Sequence, residues 1–122
     1  MIRSSKPPDP EQFLPLGSAV FHILVALAGR DRHGYSIMQD IAARTDGQIQ
    51  LSPGTLYGSI RRLLESDLIQ ELDERPDPEH DDERRRYYRL TKLGRDVAEA
   101  EARRLTRLLG QARDHGLLPE RG

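Results

Sequence analysis

Apolar residues along the chain recur at the spacings of short helices, beginning with two near the N-terminus. The first helix is predicted from Ser18, as N-cap, to Gly29, as C-cap, because the segment AVFHILVALAG between them is almost continuously apolar. The turn RDRHG follows, and a second helix then ends at Asp46-Gly47. The apolar face of that second helix contains Tyr35, Ile37, Met38 and Ile41. The pattern therefore predicts two consecutive helices joined by a short turn.

A third helix is predicted to begin at Ser52-Pro53, where serine supplies an N-cap and proline suits the first helical position. The preceding residues 48–51, QIQL, allow only one strand-like bridge. At roughly 100° per residue, one sector of the helix is apolar and contains Leu56, Ile60, Leu63 and Leu64. The opposite sector contains small residues and arginines, namely Gly54, Thr55, Gly58, Arg61 and Arg62. Because each glycine costs a helix roughly 1 kcal/mol relative to alanine, this sector indicates close approach of another surface.

Two strands are predicted next, at residues 68–74 and 85–90, joined by a loop at 75–84. Prolines in the loop keep it out of the strand ladder, and its acidic residues keep it solvated. Period-2 alternation directs Tyr88 and Leu90 inward. The outer face of the second strand is then expected to carry Arg85, Tyr87 and Arg89.

The last helix is predicted to begin after Thr91, which can cap it, and to continue to about residue 112. A heptad-like spacing relates a row of its apolar residues, called here the dimerisation seam: Ala98, Ala102, Leu105, Leu109 and Ala112. The small core cannot bury the whole of this long, otherwise polar helix. We therefore expect the same helix of a second copy to cover the seam in a homodimer.

The N-terminal residues 1–17 form an arm that contains half of the eight prolines and cannot be one continuous helix. Phe13, Leu14 and Leu16 are apolar enough to dock on a neighbouring surface. A flexible tail is the alternative.

Composition and charge narrow the class of protein. A length of 122 residues, 36% of them hydrophobic, fits one small domain with an appended helix. The absence of cysteine excludes disulfides, thiolate catalysis and cysteine-ligated metal sites. We find no apolar run of roughly 20 residues and no signal-like start, and so expect a cytoplasmic protein without membrane contact. The net charge is −1, but 17 of the 19 basic residues are arginines, the side chain best suited to phosphate and guanine edges.

Catalytic and metal-binding motifs are absent from the sequence. The four histidines are scattered without an HExxH pair, and neither a glycine-rich phosphate loop nor a GxSxG motif occurs. The acidic loop residues 77–83 could bind calcium or manganese, but they lack the EF-hand spacing. We therefore expect no enzyme activity, no catalytic or metal site and no cofactor. For His33, beside a glycine at a helix start, we expect a capping or packing role rather than pH sensing.

The order helix, helix, capped helix, strand, loop, strand, helix matches a winged helix-turn-helix followed by a dimerisation helix, an α+β fold that is mostly α. In that architecture the third helix enters the major groove of double-stranded DNA and the hairpin, or wing, contacts the adjacent backbone. The predicted organisation is an arm at 1–17, a DNA-binding domain at 18–90, and a dimerisation helix and tail at 91–122. The candidate DNA-binding residues are Ser52, Gly54, Thr55, Tyr57, Arg61, Arg62, Arg85, Tyr87 and Arg89.

Three pieces in register resemble the PadR family of transcriptional regulators: ILVALAGRDRHGYSIMQDI at 23–41, LSPGTLYGSIRRLLESDLI at 51–69 and RRRYYRLTKLGR at 84–95. The resemblance implies a homodimeric winged-helix repressor that binds an inverted-repeat operator, in the subgroup with one short dimerisation helix. It also implies that residues 52–57 contain recognition-helix positions and that residues 84–89 form the second strand of the wing.

The sequence departs from this family pattern in two respects. The wing tip at 77–83 is strongly acidic, so we expect it to point away from phosphate. The chain has no tryptophan, so an aromatic effector pocket between subunits is not supported, and any small-molecule effector is unknown.

Two other functions fit parts of the sequence. The near-neutral charge fits a winged-helix adaptor that binds proteins rather than DNA. The acidic loop, with Asp77, Glu79, His80, Asp81, Asp82 and Glu83, fits a metal-binding module.

Overall fold

A computed structural model of the chain describes residues 8–73 and 86–120. These residues contain four α-helices: α1 (Ser18–Gly29), α2 (Gly34–Arg44), α3 (Pro53–Glu65) and α4 (Lys92–Asp114). The same residues contain three short strands: β1 (Arg32–His33), β2 (Ile69–Leu72) and β3 (Tyr87–Leu90). A 3₁₀ turn at Pro10–Phe13 precedes α1. The predicted order of helices and hairpin strands is confirmed, and β1 is added to it.

The three strands form one antiparallel sheet in the order β1-β3-β2. Arg32 lies opposite Tyr88 and His33 opposite Tyr87 across β1 and β3. On the other side of β3, β2 pairs in a register that places Leu72 opposite Tyr87. β3 is therefore the central strand, with a hydrogen-bonded neighbour along both edges.

Residues 48–51, which the sequence limited to at most one strand-like bridge, form no strand in the structure. Ile49 and Leu51 are partly buried against the core, and the Ile49 N–H donates to Thr45 Oγ1 at 3.0 Å. The additional strand lies instead in the turn RDRHG after α1. A two-residue strand is too short for a periodic pattern, and its pairing depends on a distant partner.

α1 lies at the centre of the core and contacts α2, α3, α4 and β3. Its Ile23 and Leu24 are fully buried. The facing helices contribute Ile37, Ile41, Leu56, Ile60, Leu63 and Val97. The apolar sector predicted for α3 thus faces the core, with Leu64 only partly buried.

The predicted boundaries of α1 need a small correction. Ser18 is the first helical residue rather than the N-cap, and Gly17, which has no capping side chain, precedes it. At the other end, Gly29 is the last helical residue and Arg30 is the C-cap. The buried face of α1 is sufficient to hold its ends without a side-chain cap.

Side-chain caps fix the starts of α2 and α4. His33 Nδ1 accepts a hydrogen bond from the Ser36 N–H at 3.1 Å, which confirms the predicted capping role of this histidine. Thr91 Oγ1 accepts from the Gly94 N–H at 2.9 Å, as predicted for the start of the last helix.

The N-terminal arm docks on α4, which decides between the two alternatives for residues 8–17. Phe13, Leu14 and Leu16 pack against the core, and the Leu16 N–H donates to Glu101 Oε2 at 2.8 Å. Glu101 is buried, with 1% of its surface exposed, and Arg104 donates to its two oxygens at 2.5 and 3.1 Å. Arg104 and the Leu16 N–H lower the pKa of Glu101, whereas burial opposes them. An ionised carboxylate therefore holds the arm.

α4 begins against the turn between α3 and β2, and Gly94 permits this close approach. A Cβ on Gly94 would lie 1.8 Å from the backbone oxygen of Leu68. The same oxygen accepts from the Thr91 N–H at 3.1 Å, and Thr91 Oγ1 donates to the Asp67 oxygen at 2.6 Å. These contacts set the direction in which α4 leaves the sheet.

Gly94→Ala should lower the free energy of unfolding by about 1–3 kcal/mol, because the added methyl group meets backbone that cannot move aside. Gly110→Ala in the same helix is the matched control, since a Cβ there meets nothing within 4 Å. This control should raise stability by up to about 1 kcal/mol through helix propensity. Chemical denaturation of both variants measures the difference, and similar effects at the two positions would contradict the close approach.

Glu101→Gln should lower the free energy of unfolding at neutral pH by about 1–3 kcal/mol, because it weakens a buried charge-assisted hydrogen-bond group. The pKa of Glu101 is lower in the folded state, so its ionised form stabilises the fold above the unfolded-state pKa. This contribution should decline below about pH 4.3 and vanish below the folded-state pKa. Denaturation curves across this range should show the wild-type advantage shrinking in acid. An advantage that does not change with pH would contradict the charge-based explanation, and the exposed Glu99→Gln should show little effect.

Candidate nucleic-acid interface

α3 is the helix that the sequence predicts to meet DNA, and a serine cap fixes its first turn. Ser52 Oγ accepts from the Thr55 N–H at 3.2 Å and donates to Thr55 Oγ1 at 3.1 Å. Both side chains are exposed. The cap therefore holds two hydroxyl groups at the helix start, where backbone N–H groups and the positive end of the helix dipole also favour an anion.

The face of α3 opposite the core is small and basic. Gly54 and Thr55 are exposed and Gly58 is half-buried, and a Cβ on Gly54 would meet nothing within 4 Å. Arg61 and Arg62 are also exposed, and Arg62 Nη2 donates to Ser59 Oγ at 3.3 Å. Within residues 8–73 and 86–120, no acidic side chain forms an ion pair with either arginine. The positive charge of this face is thus not neutralised by the described residues.

Tyr57 connects α3 to the start of α2. About half of its surface is exposed, at 49%, while its ring packs on Gly34. A Cβ on Gly34 would lie 2.5 Å from the Tyr57 hydroxyl oxygen and 2.9 Å from two ring carbons. Tyr57 thus lies at the border between the buried and the exposed sectors of α3. Glycine at 34 thus permits the two helices of the helix-turn-helix to approach at this point.

The expectation that Tyr87 lies exposed on the outer face of the wing is wrong, because 7% of its surface is exposed. Tyr87 lies between His33 and Leu72 on the neighbouring strands, and the His33 ring meets it edge-on with centroids 5.2 Å apart. The sequence prediction did not include β1, and the pairing of β1 makes β3 a central strand. Tyr88 is buried as predicted, and burial, with the nearby charge of Glu71, raises its pKa. Both tyrosines therefore support the sheet.

The arginines of the wing strand differ from those of α3 in having acidic partners. Arg89 is exposed and binds Asp31, with Nη2 2.7 Å from Oδ2 and Nε 3.1 Å from Oδ1. The hydrogen bond and the charge of Asp31 both raise the pKa of Arg89. Arg86, the first described residue of this segment, lies 3.5 Å from Glu71. Arg85 and the acidic tip lie outside the described residues.

The predicted dimerisation seam lies along one side of α4 but is not uniformly exposed. Ala98, Leu105 and Ala112 are partly buried, whereas Ala102 and Leu109 are exposed. Leu108, which the heptad-like spacing passes over, is 50% exposed. It follows Leu105 by three positions and precedes Ala112 by four, and this spacing could have identified it as part of the same apolar side.

An apolar groove of about 190 Å³ lies between α1 and α4 beside the seam. Its apolar lining consists of Phe21, Val25, Ala28, Leu90, Ala98 and Ala102. Arg95 and Glu99 also line it. The groove thus extends the apolar surface of the seam onto α1.

Within residues 8–73 and 86–120, no group of three or more histidine, aspartate or glutamate side chains could hold a metal ion. The acidic loop, for which a metal site was an alternative, lies outside these residues. No helix in the described part of the chain has the length and apolar character needed to cross a membrane.

Solved structures with the same fold include two clostridial regulators. A PadR family transcription regulator from Clostridium difficile is 25% identical and has a TM-score of 0.67, with 81% of this chain and 98% of that chain covered. A transcriptional regulator from Clostridium thermocellum is 24% identical and has a TM-score of 0.65, with 81% and 92% covered. These similarities show the winged-helix fold that the element order predicted.

Sequence comparisons add relatives and a family. An uncharacterised 37.1 kDa protein of transposon Tn4556 from Streptomyces fradiae is 37% identical over 89 residues, which are 73% of this chain and 23% of that protein. An uncharacterised protein X from Lysinibacillus sphaericus is 36% identical over 73 residues, 60% of this chain and 64% of that protein. The chain thus spans about a quarter of the first relative and less than two thirds of the second. A model of the PadR-like family of transcriptional regulators matches residues 23–100. Together with the winged-helix fold, this match shows that the chain belongs to the PadR-like family of transcriptional regulators.

Proposed function

We propose that this chain is a DNA-binding transcription regulator that acts as a homodimeric repressor at an inverted-repeat operator. The observation that carries the proposal is the exposed face of α3. It combines a capped start, an unobstructed glycine at position 54, a second glycine at position 58 beside the flexible Arg62 side chain, and two arginines without acidic partners in the described part of the chain. B-DNA admits a helix of this width in its major groove.

α3 would contribute both base and phosphate contacts. Thr55 lies in the first turn, where recognition helices read base edges. Arg61 and Arg62 carry rigid guanidinium groups that can bind phosphate or guanine in a bidentate manner. The Ser52 cap would orient the Thr55 hydroxyl and the first-turn N–H groups towards the DNA, and the exposed edge of Tyr57 would donate its hydroxyl to the DNA backbone. Gly54 and Gly58 would let the duplex approach the helix backbone.

A second copy of the chain would cover the apolar side of α4. Leu108 and Leu109 are half-exposed, and the adjoining groove between α1 and α4 is open and apolar. We propose that the partner's α4 packs along the seam with its leucines directed towards this groove. Covering this surface contributes about 25 cal/mol for each Å² of apolar area removed from water.

The proposed division of labour follows the elements. Residues 18–90 form the DNA-binding unit and residues 91–122 the dimerisation helix and tail, with the arm at 1–17 packed on α4 in its described part. As a repressor, the dimer would bind a site that overlaps a promoter.

Selection of bound sequences from a random DNA pool tests the proposal directly, and an enriched inverted repeat is the expected result. An adaptor that binds proteins instead would enrich no sequence.

Arg62→Ala combined with Thr55→Ala should weaken binding to the selected operator while leaving thermal stability nearly intact, because both side chains are exposed. Loss of one phosphate contact should reduce the slope of the logarithm of the binding constant against the logarithm of the salt concentration by about one unit. Loss of a base contact should reduce the discrimination between operator and other sequences by about 1–3 kcal/mol. Fluorescence anisotropy titrations at several salt concentrations measure both effects. Arg103→Ala, on the exposed side of α4, is the matched control. Unchanged operator affinity for the double variant would exclude α3 from the interface.

Leu108→Lys combined with Leu109→Lys should produce monomers, because each lysine places a charge in the apolar interface. Both leucines are half-exposed in the single chain, so the substitutions should spare the core. Sedimentation equilibrium measures the oligomeric state, and circular dichroism checks that the helices persist. Arg107→Glu, an exposed position on the opposite side of the same helix, should remain dimeric. A fully dimeric leucine double variant at micromolar concentration would contradict the proposed interface, and so would a fully dimeric Leu105→Lys, Leu109→Lys variant.

A further inference from the structure

We propose that Asp31 limits the affinity of this protein for DNA by occupying Arg89 of the wing as an internal substitute for a phosphate. The inference rests on the proposed DNA-binding function and assigns a specific role to a residue outside the recognition helix. It is carried by the register of the sheet, the geometry of the ion pair and the contrast with the arginines of α3.

The register of the sheet places the two residues side by side. Arg32 lies opposite Tyr88 and His33 opposite Tyr87, so continuing the antiparallel register by one residue brings Asp31 opposite Arg89. On the other edge of β3, Gln70 lies opposite Arg89. Asp31 and Arg89 are thus cross-strand neighbours. The backbone pairing therefore fixes their proximity independently of any side-chain rotamer.

The geometry of the pair resembles the way in which an arginine binds a phosphate. Asp31 accepts hydrogen bonds from Nε at 3.1 and 3.2 Å and from Nη2 at 2.7 Å. Two donors on one edge of the guanidinium are therefore engaged, and this is the fork that binds carboxylate and phosphate alike. A phosphate that uses this edge must displace Asp31. A phosphate that uses the other edge meets a pair without net charge and a nearby carboxylate that repels it.

The neighbours of Asp31 give it no other described basic partner. Arg32, the next residue, points its guanidinium inward and bonds to the Ala26 oxygen, Ser36 and Asp40. Asp31 thus forms its only ion pair within residues 8–73 and 86–120 with Arg89. Side-chain exposure of 53% for Arg89 and 26% for Asp31 keeps the pair at the surface, where DNA could reach it. Because exposed ion pairs contribute little to stability, we do not assign this pair a mainly structural role.

The arginines of the wing and those of α3 differ in whether an acidic side chain neutralises them, and this difference bears on DNA binding. Arg61 and Arg62 have no acidic partner in the described residues, whereas the two described arginines of the wing segment both do. The recognition helix thus presents free positive charge and the described part of the wing presents neutralised charge. Sequence-independent attraction to phosphate depends on unneutralised cations. The pair therefore reduces binding to any duplex, and its opening would accompany tight binding.

The test compares binding of wild type, Asp31→Asn, Arg89→Ala and the double variant to a random-sequence duplex and to the selected operator, over a range of salt concentrations. Asp31→Asn should tighten binding to both duplexes on the order of tenfold at low salt and steepen the log-log salt slope by about one unit. The gain should disappear in the Arg89→Ala background. Asp114→Asn, which removes one acidic charge from the far end of α4, should produce little change. Asp31→Ala provides a second variant, and circular dichroism confirms folding of each.

Three results would overturn the proposal. Weaker binding by Asp31→Asn and Asp31→Ala would mean that Asp31 orients Arg89 for contact with phosphate and does not block that contact. An equal gain in the Arg89→Ala background, or in Asp114→Asn, would reduce the effect to net charge. Unchanged affinity would mean that the pair plays no part in binding. By contrast, a wild type that binds no duplex at low salt would contradict the proposed function itself, and this inference with it.

Discussion

The pairing of β1 with β3 determines much of the geometry near α3. Only two residues of β1 take part, Arg32 and His33, yet the second of them also caps α2 through its ring nitrogen. The next residue, Gly34, is the position on which the Tyr57 ring packs. Strand pairing, the start of α2 and the approach of α3 are therefore set by three consecutive residues. A shift in this short strand would alter the orientation of α3 as well as the edge of the sheet.

The same pairing decides how the wing distributes its charge. It makes β3 a central strand, so Tyr87 is covered by a neighbouring strand on each side and is buried, whereas Arg89 stays exposed. It also brings Asp31 to that arginine. Among residues 8–73 and 86–120, no acidic side chain lies in ion-pair contact with Arg61 or Arg62 on the outer face of α3, and Arg62 donates to Ser59 instead. Two arginine-bearing elements of one domain thus have different electrostatic states for a reason that lies in the topology of the sheet.

The sequence predicted those elements whose signals are local. The capping serine and the apolar sector of α3 lie within one helix, and the structure confirms both. The capping roles of His33 and Thr91 were predicted for the same reason. Features that depend on distant partners were not predicted. β1 has no pattern of its own, and without it the alternation in β3 assigned Tyr87 to the wrong environment.

The same distinction applies to the candidate site. The exposed residues of α3 could be identified from helical periodicity alone, since burial of one sector implies exposure of the other. The partner of Arg89 could not, because Asp31 and Arg89 are far apart in the chain and meet only across the ladder. Glu101 is a similar case, since nothing local in its helix indicates that a buried carboxylate binds the backbone of the arm. Contacts between distant polar groups require the fold before they can be found.

α4 changes its role along its length, and Glu101 marks the change. Its buried residues, Gly94, Val97, Ala100 and Glu101, all lie in the first half, and none of the residues from 102 to 114 is buried. A helix of 23 residues is about 34 Å long, so its second half extends past the core that the described residues form. The arm covers α4 near Glu101, and in the proposed dimer a second subunit covers the leucines beyond it.

Because α4 is joined directly to β3, the packing of the second halves of the two α4 helices would set the distance between the two α3 helices. Half-sites read by paired recognition helices lie about one helical turn of DNA apart, so the operator spacing would be determined at the end of α4, far from any residue that touches a base.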